Sequence, residues 1–306
     1  MGAKIIDGAA IGREIRAEAA AEVAELGAGG TVPGLAVVLV GGDPASEVYV
    51  RSKTRACHEA GMHDRLVHLP EHVSADELFG TIDGLNADPE IHGILVQLPL
   101  PSHINPKAVL ERVHPAKDVD GFHPLNVGRA FVGDPRGFVP ATPAGIMELL
   151  RRERIETHGK HAVIVGRSLI VSKPLASLLM APGPNATVTL THRHTVDLAS
   201  HTRTADILVV AVGKPGLITA DMVKEGAAVF DVGTTRVPDA HHAKGYVIKG
   251  DVDYDAVREK ASHITPVPGG VGPMTIAMLL RNTVEAALRV HTAKTRGERR
   301  RAGWGA

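Results

Sequence analysis

Residues 35–53 read LAVVLVGGDPASEVYVRSK, and this stretch decides the fold class. The first six residues form a continuous apolar run, which is typical of a strand buried on both faces of a sheet. The next four residues, GGDP, have the composition of an exit loop, and helical composition then continues up to Gly61. A buried strand that leads through a short loop into a helix predicts an α/β fold with a parallel sheet.

Tyr49 and Lys53 lie four residues apart on the helix that follows this strand. Side chains at that spacing share one face, with Cβ atoms about 5–6 Å apart. Open α/β sheets bind ligands at the carboxyl ends of their strands, which is where this helix begins. A lysine there transfers protons if its surroundings lower its pKa from about 10.4. An ordinary amphipathic helix with an exposed lysine would also explain the pair.

Composition and length limit the possible classes of protein. The chain has 306 residues, a length typical of two domains. Lysine plus arginine equals aspartate plus glutamate at 34 each, so no overall charge favours nucleic acid or a membrane as a partner. The single cysteine excludes an internal disulfide and a multi-cysteine metal site, and the histidines show no metal-ligand spacing. No apolar run reaches transmembrane length and residues 1–4 show no signal-peptide pattern, so we expect a cytoplasmic protein.

Strands and helices alternate along the first 142 residues, which again predicts a parallel sheet. We predict helices over residues 9–26 and 75–86, the second opened by a capping box at Ser74 and Glu77, and strands over 65–69 and 91–96. The last strand runs into QLPLP, where two prolines stop the ladder and leave Gln97 at the carboxyl end. A hydrogen bond to a loop would also account for this glutamine.

The run KDVDGFHP, residues 117–124, is too polar for a core and too rich in glycine and proline for a helix. We interpret it as a shaped loop, and loops carry function more often than cores do. A surface turn held by aspartate side chains would explain one of its aspartates more easily than the whole run.

The pattern restarts after PATP, residues 140–143, a linker in which Thr142 is predicted to cap a helix that Pro143 opens. Strands are predicted over residues 162–165, 187–191, 207–212 and 228–232, with a helix over about 172–180. This spacing predicts a dinucleotide-binding unit, although the first turn, GRS, has only one of the usual glycines. Such a turn still presents backbone N–H groups and a helix N-terminus to a pyrophosphate.

The end of the second strand of this unit predicts which cofactor binds. NAD sites usually carry an acidic residue there, which bonds the ribose 2′-hydroxyl, but this chain has HRHT at residues 192–195. A cation suits a 2′-phosphate, so Arg193 favours NADP, with Arg167 able to join it. Two solvated arginines are the alternative.

The segment ITPVPGGVGP, residues 264–273, is predicted to be a fixed irregular loop because glycine and proline suit neither a strand nor a helix. Its glycines allow the backbone to approach a flat ligand. A helix is expected from Met274 to about Val290, packing back on the first domain. We expect residues 293–306 to be a disordered basic tail. It has no basic partner surface and no interleaved aromatics, so we do not interpret it as a nucleic-acid site.

In this order, the motifs resemble those of the bifunctional methylenetetrahydrofolate dehydrogenase/cyclohydrolase family, from about Ala3 to Val290. The specific matches are YVRSKT at 49–54, GILVQLPLP at 93–101, KDVDGFHP at 117–124, GRS at 166–168 and PVPGGVGP at 266–273. The resemblance implies oxidation of 5,10-methylenetetrahydrofolate with NADP, then hydrolysis of the 5,10-methenyl product to 10-formyltetrahydrofolate. It also implies a homodimer, and two lobes with one cleft that serves both reactions.

The resemblance further implies a domain plan and roles for individual residues. Residues 1–142 would form a folate-binding catalytic α/β domain with 274–292 packed back on it, and 143–273 a Rossmann-like NADP-binding domain. Lys53 matches the catalytic lysine and Gln97 its partner, Tyr49 the folate-stacking tyrosine and Asp120 the pterin-binding carboxylate. The other matches are Leu98, Pro99, Pro268, Gly269, Gly270 and Val271 on the folate side, and Gly166, Arg167, Ser168, Arg193 and Thr234 at the cofactor.

Four positions depart from the family pattern. Ser172 stands where the family usually has glycine and adds a side chain where the backbone and the cofactor would run close. Arg193 stands where many relatives have serine, which strengthens the expectation of NADP. Thr234 and Thr235 replace a common Ile-Asn pair.

Other functions stay open from the sequence. A dehydrogenase of small keto or hydroxy acids would need a His–Asp or arginine pair over the nicotinamide, but not the loops at 93–101 and 117–124. A monofunctional methylenetetrahydrofolate dehydrogenase would oxidise its substrate without hydrolysing the product. A redox sensor would bind NADP without turnover.

Overall fold

The computed structural model describes residues 2–242 and 245–302. The chain divides into two compact units. The six-stranded unit comprises Met1–Arg13, Ala130–Asp134 and Pro140–Thr275, and the three-stranded unit comprises Glu14–Arg129, Pro135–Val139 and Ile276–Ala306.

Strands and helices alternate along most of the described chain, as the sequence predicts. The strands are β1 (Lys4–Ile5), β2 (Gly34–Val40), β3 (His63–Leu69), β4 (Gly93–Val96), β5 (His161–Val165), β6 (Thr187–Thr191), β7 (Ile207–Val210), β8 (Ala228–Asp231), β9 (Thr235–Pro238), β10 (Tyr246–Lys249) and β11 (His263–Ile264). The helices are α1 (Gly8–Ala28), α2 (Pro44–Glu59), α3 (Ala75–Ala87), α4 (Pro106–Arg112), α5 (Pro124–Phe131), α6 (Ala141–Arg152), α7 (Ser172–Met180), α8 (Leu198–Thr202), α9 (Tyr254–Arg258) and α10 (Val271–Ala302), with a 3₁₀ helix at Ala220–Met222.

The three-stranded unit is built on a parallel sheet of order β3-β2-β4. The central strand β2 is buried at every residue, which explains its unbroken apolar sequence. Helix α3 packs on this core through Leu78, Ile82 and Leu85, which recur at helical spacing and are buried. The parallel sheet places the carboxyl ends of β2 and β4 at one edge, next to the start of α2.

Local sequence signals fix the ends of the helices in this unit. Asp43 accepts a hydrogen bond from the Ser46 N–H at 2.8 Å and so caps α2. The predicted capping box at α3 is confirmed, because the Ser74 hydroxyl accepts from the Glu77 N–H and the Glu77 carboxylate accepts from the Ser74 N–H. Helix α2 therefore starts at a defined residue, and that start sets where Tyr49 and Lys53 lie.

The six-stranded unit contains a parallel sheet of order β1-β11-β8-β7-β5-β6. Strands β7 and β8 are buried throughout, and β6 forms an edge. The predicted span of β6 matches the observed one, and the dinucleotide-binding pattern is found in this sheet. An antiparallel hairpin of β9 and β10 follows, which the sequence reasoning does not predict.

The N-terminal segment and the linker differ from the sequence expectation. Strand β1 pairs with β11, so the first 13 residues lie in the six-stranded unit rather than with residues 14–129. Pro140 is the N-cap of α6, and the Thr142 hydroxyl instead lies 3.0 Å from the Thr275 hydroxyl. Thr142 is thus a residue of the first helical turn, and the prediction that it caps the helix is wrong.

Helix α10 returns to the three-stranded unit, as predicted. The Asn282 side chain donates to the carbonyls of Val119 at 2.8 Å and Val139 at 2.9 Å, and the Thr31 hydroxyl lies 3.0 Å from His291 Nδ1. The helix continues to Ala302, where a disordered tail was expected, because alanine, arginine and glutamate in this stretch favour helix. The last four positions of that predicted tail lie outside the described residues. Within the described ranges, no helix is long and apolar enough to cross a membrane.

Candidate active site

A lysine and a glutamine meet at the carboxyl edge of the three-stranded sheet. The Lys53 amine donates a hydrogen bond to Gln97 Oε1 at 3.0 Å. Lys53 comes from α2, which follows β2, and Gln97 directly follows β4, the strand beside β2. The parallel arrangement therefore brings together two residues that are 44 positions apart in the sequence.

The orientation of the Gln97 amide is set by its other hydrogen bond. Its nitrogen donates to the Leu98 carbonyl at 2.6 Å, which leaves the amide oxygen as the acceptor for Lys53. The backbone N–H of Gln97 donates to the Val38 carbonyl at 2.8 Å, so the residue continues the ladder before the chain turns. The following Leu98–Pro99 peptide bond is cis.

The surroundings of Lys53 make its neutral form more accessible. Burial lowers the pKa of the Lys53 amine, and the charges of Asp120 and Cys57 oppose this to a smaller extent. Burial also raises the pKa of Asp120 to about 6, against the attraction of Lys53 and with a further contribution from Asp118. Both groups are thus shifted towards the uncharged state, as expected for residues that exchange protons.

The loop that carries Asp120 is held by its neighbours. The buried Asp118 carboxylate accepts from the N–H of Phe122 at 3.2 Å and of His123 at 2.8 Å, and from the Asn126 amide at 2.8 Å. The Lys117 amine donates to two carbonyls, Leu85 at 3.0 Å and Asp88 at 2.6 Å, near the end of α3. Lys117 and Asp118 therefore hold the shape of the loop. The alternative of a turn held by aspartate side chains thus applies to Asp118.

The sequence reasoning does not single out Asp118 or Asn126. An aspartate followed by turn residues is the only local signal, and it does not show that Asn126, eight residues later, turns back to bond the carboxylate. Tyr49 lies one helical turn before Lys53 and is 49% exposed, so its ring is open to a ligand. Pro99 is exposed and Leu98 is half-buried.

The six-stranded unit has the turn expected of a dinucleotide site between β5 and α7. Gly166 has φ of 141°, and a Cβ atom there would lie 2.6 Å from the Ala211 carbonyl oxygen and 2.7 Å from Ser172 Oγ. A glycine is therefore required, both for the dihedral and for the space. The Ser168 hydroxyl accepts from the N–H groups of Val171 at 3.1 Å and Ser172 at 3.3 Å, at the start of α7.

Ser172, the departure from the family glycine, is fully buried. Its hydroxyl lies 3.5 Å from the Ser168 hydroxyl and next to Gly166. The added side chain is thus packed inside this unit beside the turn, where it supports Ser168.

Two arginines stand where an anion could bind. Arg193 follows the edge strand β6, is exposed, and donates from Nε to His194 Nε2 at 3.1 Å. Arg167 is exposed in the turn after β5, the strand next to β6. Thr234 follows β8 at the carboxyl edge of the same sheet and is exposed. This edge offers cations and a helix start, the groups that bind a phosphorylated cofactor.

The glycine- and proline-rich segment forms a loop between β11 and α10, but it covers only residues 265–270, because α10 begins at Val271 rather than at the predicted Met274. Pro273 lies in the first turn of α10, where a helix tolerates proline. The Val267–Pro268 peptide bond is cis, and the Gly270 N–H donates to the Pro266 carbonyl at 2.9 Å. Pro268 is exposed, whereas Gly270 and the first helical residue, Val271, are buried. Among the described residues, no group of three or more His, Cys, Asp or Glu side chains could hold a metal ion.

Comparison with known protein families identifies the family of this chain. The model of the tetrahydrofolate dehydrogenase/cyclohydrolase catalytic domain matches residues 6–120, and the model of the NAD(P)-binding domain matches residues 140–291. The chain belongs to the tetrahydrofolate dehydrogenase/cyclohydrolase family. The family and the two-domain α/β fold that the sequence predicts are therefore confirmed, and residues 140–291 are an NAD(P)-binding domain.

Individual members of this family are similar over nearly their full length. Bifunctional protein FolD 1 of Myxococcus xanthus is 69% identical over 285 residues, which cover 93% of this chain and 98% of that protein. The crystal structure of the bifunctional FolD enzyme of Campylobacter jejuni matches this chain with a TM-score of 0.89 and 48% sequence identity. The match covers 94% of this chain and 99% of the other. The crystal structure of FolD of Trypanosoma brucei, complexed with NADP cofactor and an inhibitor, has a TM-score of 0.90 and 42% sequence identity. The match covers 95% of this chain and 99% of the other.

Proposed function

We propose that this protein oxidises 5,10-methylenetetrahydrofolate with NADP and hydrolyses the resulting 5,10-methenyltetrahydrofolate to 10-formyltetrahydrofolate. The observation that carries this proposal is the contact between Lys53 and Gln97, near Asp120, at the carboxyl edge of a parallel sheet. In a chain of this family, that arrangement supplies a proton-transfer group at a folate site.

The residues at the edge of the six-stranded sheet fit NADP. The Gly166 turn presents backbone N–H groups close to the start of α7, which suits a pyrophosphate. Arg193 and Arg167 suit the 2′-phosphate, and Thr234 offers a hydroxyl at the same edge. When bound at this site, NADP would supply the acceptor for the hydride of the methylene carbon. No side-chain nucleophile is required, and the task of the protein in this step is to position the two rings.

Hydrolysis requires water to attack a cationic carbon and a proton to leave. The methenyl group is an amidinium cation, so a protonated Lys53 would repel it, whereas a neutral amine can accept the proton or orient the water. Burial of Lys53 lowers its pKa in the direction that this step needs. Gln97 holds the amine nitrogen in place without adding a negative charge that would favour protonation.

Asp120 and Tyr49 bind the folate. The Asp120 carboxylate accepts hydrogen bonds from the amino and ring N–H groups of the pterin, and a carboxylate acceptor makes such bonds strong. Hydrogen bonds from the pterin favour the ionised carboxylate, against burial, which raises the pKa of Asp120 to about 6. The exposed ring of Tyr49 stacks on the flat folate ring. Leu98 and Pro99, which follow β4 in the same unit, add to these folate contacts, as the family resemblance implies.

An absorbance assay at the methenyl-folate band, with and without NADP, tests the proposal. With methylenetetrahydrofolate as the substrate, we expect reduction of NADP. With methenyltetrahydrofolate, we expect loss of the band faster than in buffer and without any need for NADP. Oxidation without enzymatic hydrolysis would instead identify a monofunctional dehydrogenase. Bound NADP with neither reaction would identify a sensor.

The assembly and the location of the enzyme are part of the same proposal. The family resemblance supports a homodimer, and the balanced charge gives no reason to expect nucleic acid or a membrane surface as a partner. We place it in the cytoplasm, where tetrahydrofolate derivatives are its small-molecule partners. Light scattering should give twice the chain mass of 32.2 kDa. A mass equal to a single chain would contradict the dimer.

A further inference from the structure

Two carboxylates are buried at the carboxyl edge of the six-stranded sheet. Asp231 is the last residue of β8 and is 3% exposed, and Asp251 follows β10 and is fully buried. Neither residue is among those that the family resemblance assigns to the site. Buried carboxylates are rare unless they are paired or well hydrogen-bonded, so their partners indicate their purpose.

Both carboxylates bind backbone N–H groups of the turns at this edge. Asp251 Oδ2 accepts from Val212 at 2.7 Å and Gly213 at 2.9 Å, in the turn after β7. Asp231 Oδ1 accepts from Gly233 at 2.9 Å, in the turn after β8.

The Asp231 carboxylate also binds the backbone at Asp251. Asp231 Oδ1 accepts from the Asp251 N–H, and Asp231 Oδ2 from the Val252 N–H, each at 2.9 Å. The pair therefore ties the turn after β7 to the turn after β8. We call Asp231 and Asp251 the carboxylate clamp.

The backbone is closed tightly over the clamp. A Cβ atom at Gly233 would lie 2.5 Å from Asp251 Cγ, and one at Gly250 would lie within the Asp231 carboxylate, 1.9 Å from Oδ2. These glycines let the turns approach the carboxylates directly. The distances between turns and carboxylates are consequently fixed by backbone contacts rather than by flexible side chains.

The clamp is energetically unfavourable in one respect. Among the described residues, no group donates a hydrogen bond to Asp251 Oδ1, although this atom is buried. Burial and the nearby Asp251 charge raise the pKa of Asp231 to about 6. Two neighbouring acids with an unsatisfied oxygen are a poor way to stabilise a core, which argues for a role in the function.

We propose that Asp231 and Asp251 are positioning residues for the cofactor, acting through the turns that they hold. The inference rests on the proposed function, because a doubly wound sheet binds its dinucleotide at the carboxyl ends of its strands. Thr234, one of the cofactor positions, directly follows the clamped Gly233. Release of the clamp displaces this turn and the turn at Val212, and so weakens NADP binding.

Calorimetric titration of NADP into the wild-type protein and Asp251→Asn tests the clamp. The amide keeps one acceptor oxygen for the N–H groups of Val212 and Gly213, so the fold stays intact, but it removes the negative charge that strengthens both hydrogen bonds. We expect NADP to bind about tenfold more weakly, the effect of losing roughly 1.4 kcal/mol of charge-assisted hydrogen bonding. Hydrolysis of methenyltetrahydrofolate, which needs no NADP, should stay at the wild-type rate.

Asp206→Asn is the matched control. Asp206 also accepts from a backbone N–H, that of His161 at 2.9 Å, but it precedes β7 and so lies at the amino edge of the same sheet. It should bind NADP as the wild type does. If Asp251→Asn does not fold, Gly233→Ala takes its place, because the added methyl group presses on the same carboxyl group.

The outcomes separate this inference from the proposed function. Unchanged NADP affinity in a folded clamp variant would overturn the proposed positioning role of the clamp. A parallel loss of hydrolysis would also overturn it, because that result would show a general structural role. Wild-type protein that binds NADP without oxidising methylenetetrahydrofolate contradicts the proposed function alone, since the calorimetric comparison still tests the clamp.

Discussion

At position 53, the lysine amine is partly buried and has a neutral amide as its hydrogen-bond acceptor. A carboxylate in place of Gln97 would favour the charged amine, whereas the amide oxygen accepts a hydrogen bond from either form. The choice of glutamine is therefore consistent with an amine that is neutral before it accepts a proton during hydrolysis.

Competitive labelling of lysines across a pH series measures this effect directly. The pKa of Lys53 should lie below the ordinary value of 10.5, because burial disfavours the charged form. Exposed Lys107, which pairs loosely with Glu111 at 3.8 Å, serves as the internal reference. Gln97→Glu should shift the midpoint for Lys53 upwards and slow hydrolysis at neutral pH. A Lys53 midpoint equal to that of Lys107 in the wild type would be inconsistent with a shift due to burial.

Arg193 should decide the preference between cofactors. Its exposed guanidinium stands at the end of β6, where an acid would favour NAD. Arg193→Ser should lower kcat/KM for NADP about tenfold while kcat/KM for NAD changes little, because charge-assisted bonds to a phosphate contribute roughly 1.5–3 kcal/mol. Arg203→Ser, which removes contacts to Asp221 on the same unit, is the control. Equal losses with both cofactors would remove Arg193 from this role.

At the scale of elements, helix α10 supports the loop that carries Asp120. Asn282, in the middle of this helix, bonds the carbonyl of Val119, the residue just before Asp120. The same side chain bonds the Val139 carbonyl. A helix far away in the sequence thus helps to set the position of the carboxylate that we propose to bind folate.

Asn282→Ala should affect both stability and folate binding. The lost bonds leave two carbonyls unpaired, at a cost of about 1–3 kcal/mol in the free energy of unfolding. KM for the folate should rise because the Asp120 loop loses a support. Asn86→Ala also breaks two bonds to the backbone, those to Arg112 and His114, and should reduce stability without changing KM. Similar KM values for the two variants would contradict the role of α10.

The elements that the sequence predicts well are those with strong periodic signals. Strand β2 is an unbroken apolar run, and the parallel-sheet rule alone places Lys53 and Gln97 at one edge. Strand β1 has only two residues, and it pairs with β11, which lies about 260 positions later in the sequence. No local sequence pattern therefore predicts this pairing. The return of Asn126 to Asp118 is likewise a tertiary contact, which the sequence cannot show.

At the scale of the whole molecule, the residues proposed for the two chemical tasks are divided between the compact units. Lys53, Gln97 and Asp120 lie in the three-stranded unit, and Gly166 and Arg193 lie in the six-stranded unit. Because hydrolysis of methenyltetrahydrofolate needs no NADP, variants in one unit can be distinguished from variants in the other. Loss of Lys53 should abolish hydrolysis and also reduce oxidation, since the amine borders the folate in both reactions.

The most direct test follows the absorbance of methenyltetrahydrofolate with wild-type protein, Lys53→Met and the surface control Lys107→Met. Methionine keeps the length and apolar stem of lysine, so circular dichroism should be unchanged. We predict that the wild type and Lys107→Met accelerate loss of the band, and that Lys53→Met leaves it at the rate seen in buffer. A folded Lys53→Met protein that hydrolyses methenyltetrahydrofolate at the wild-type rate would contradict the account.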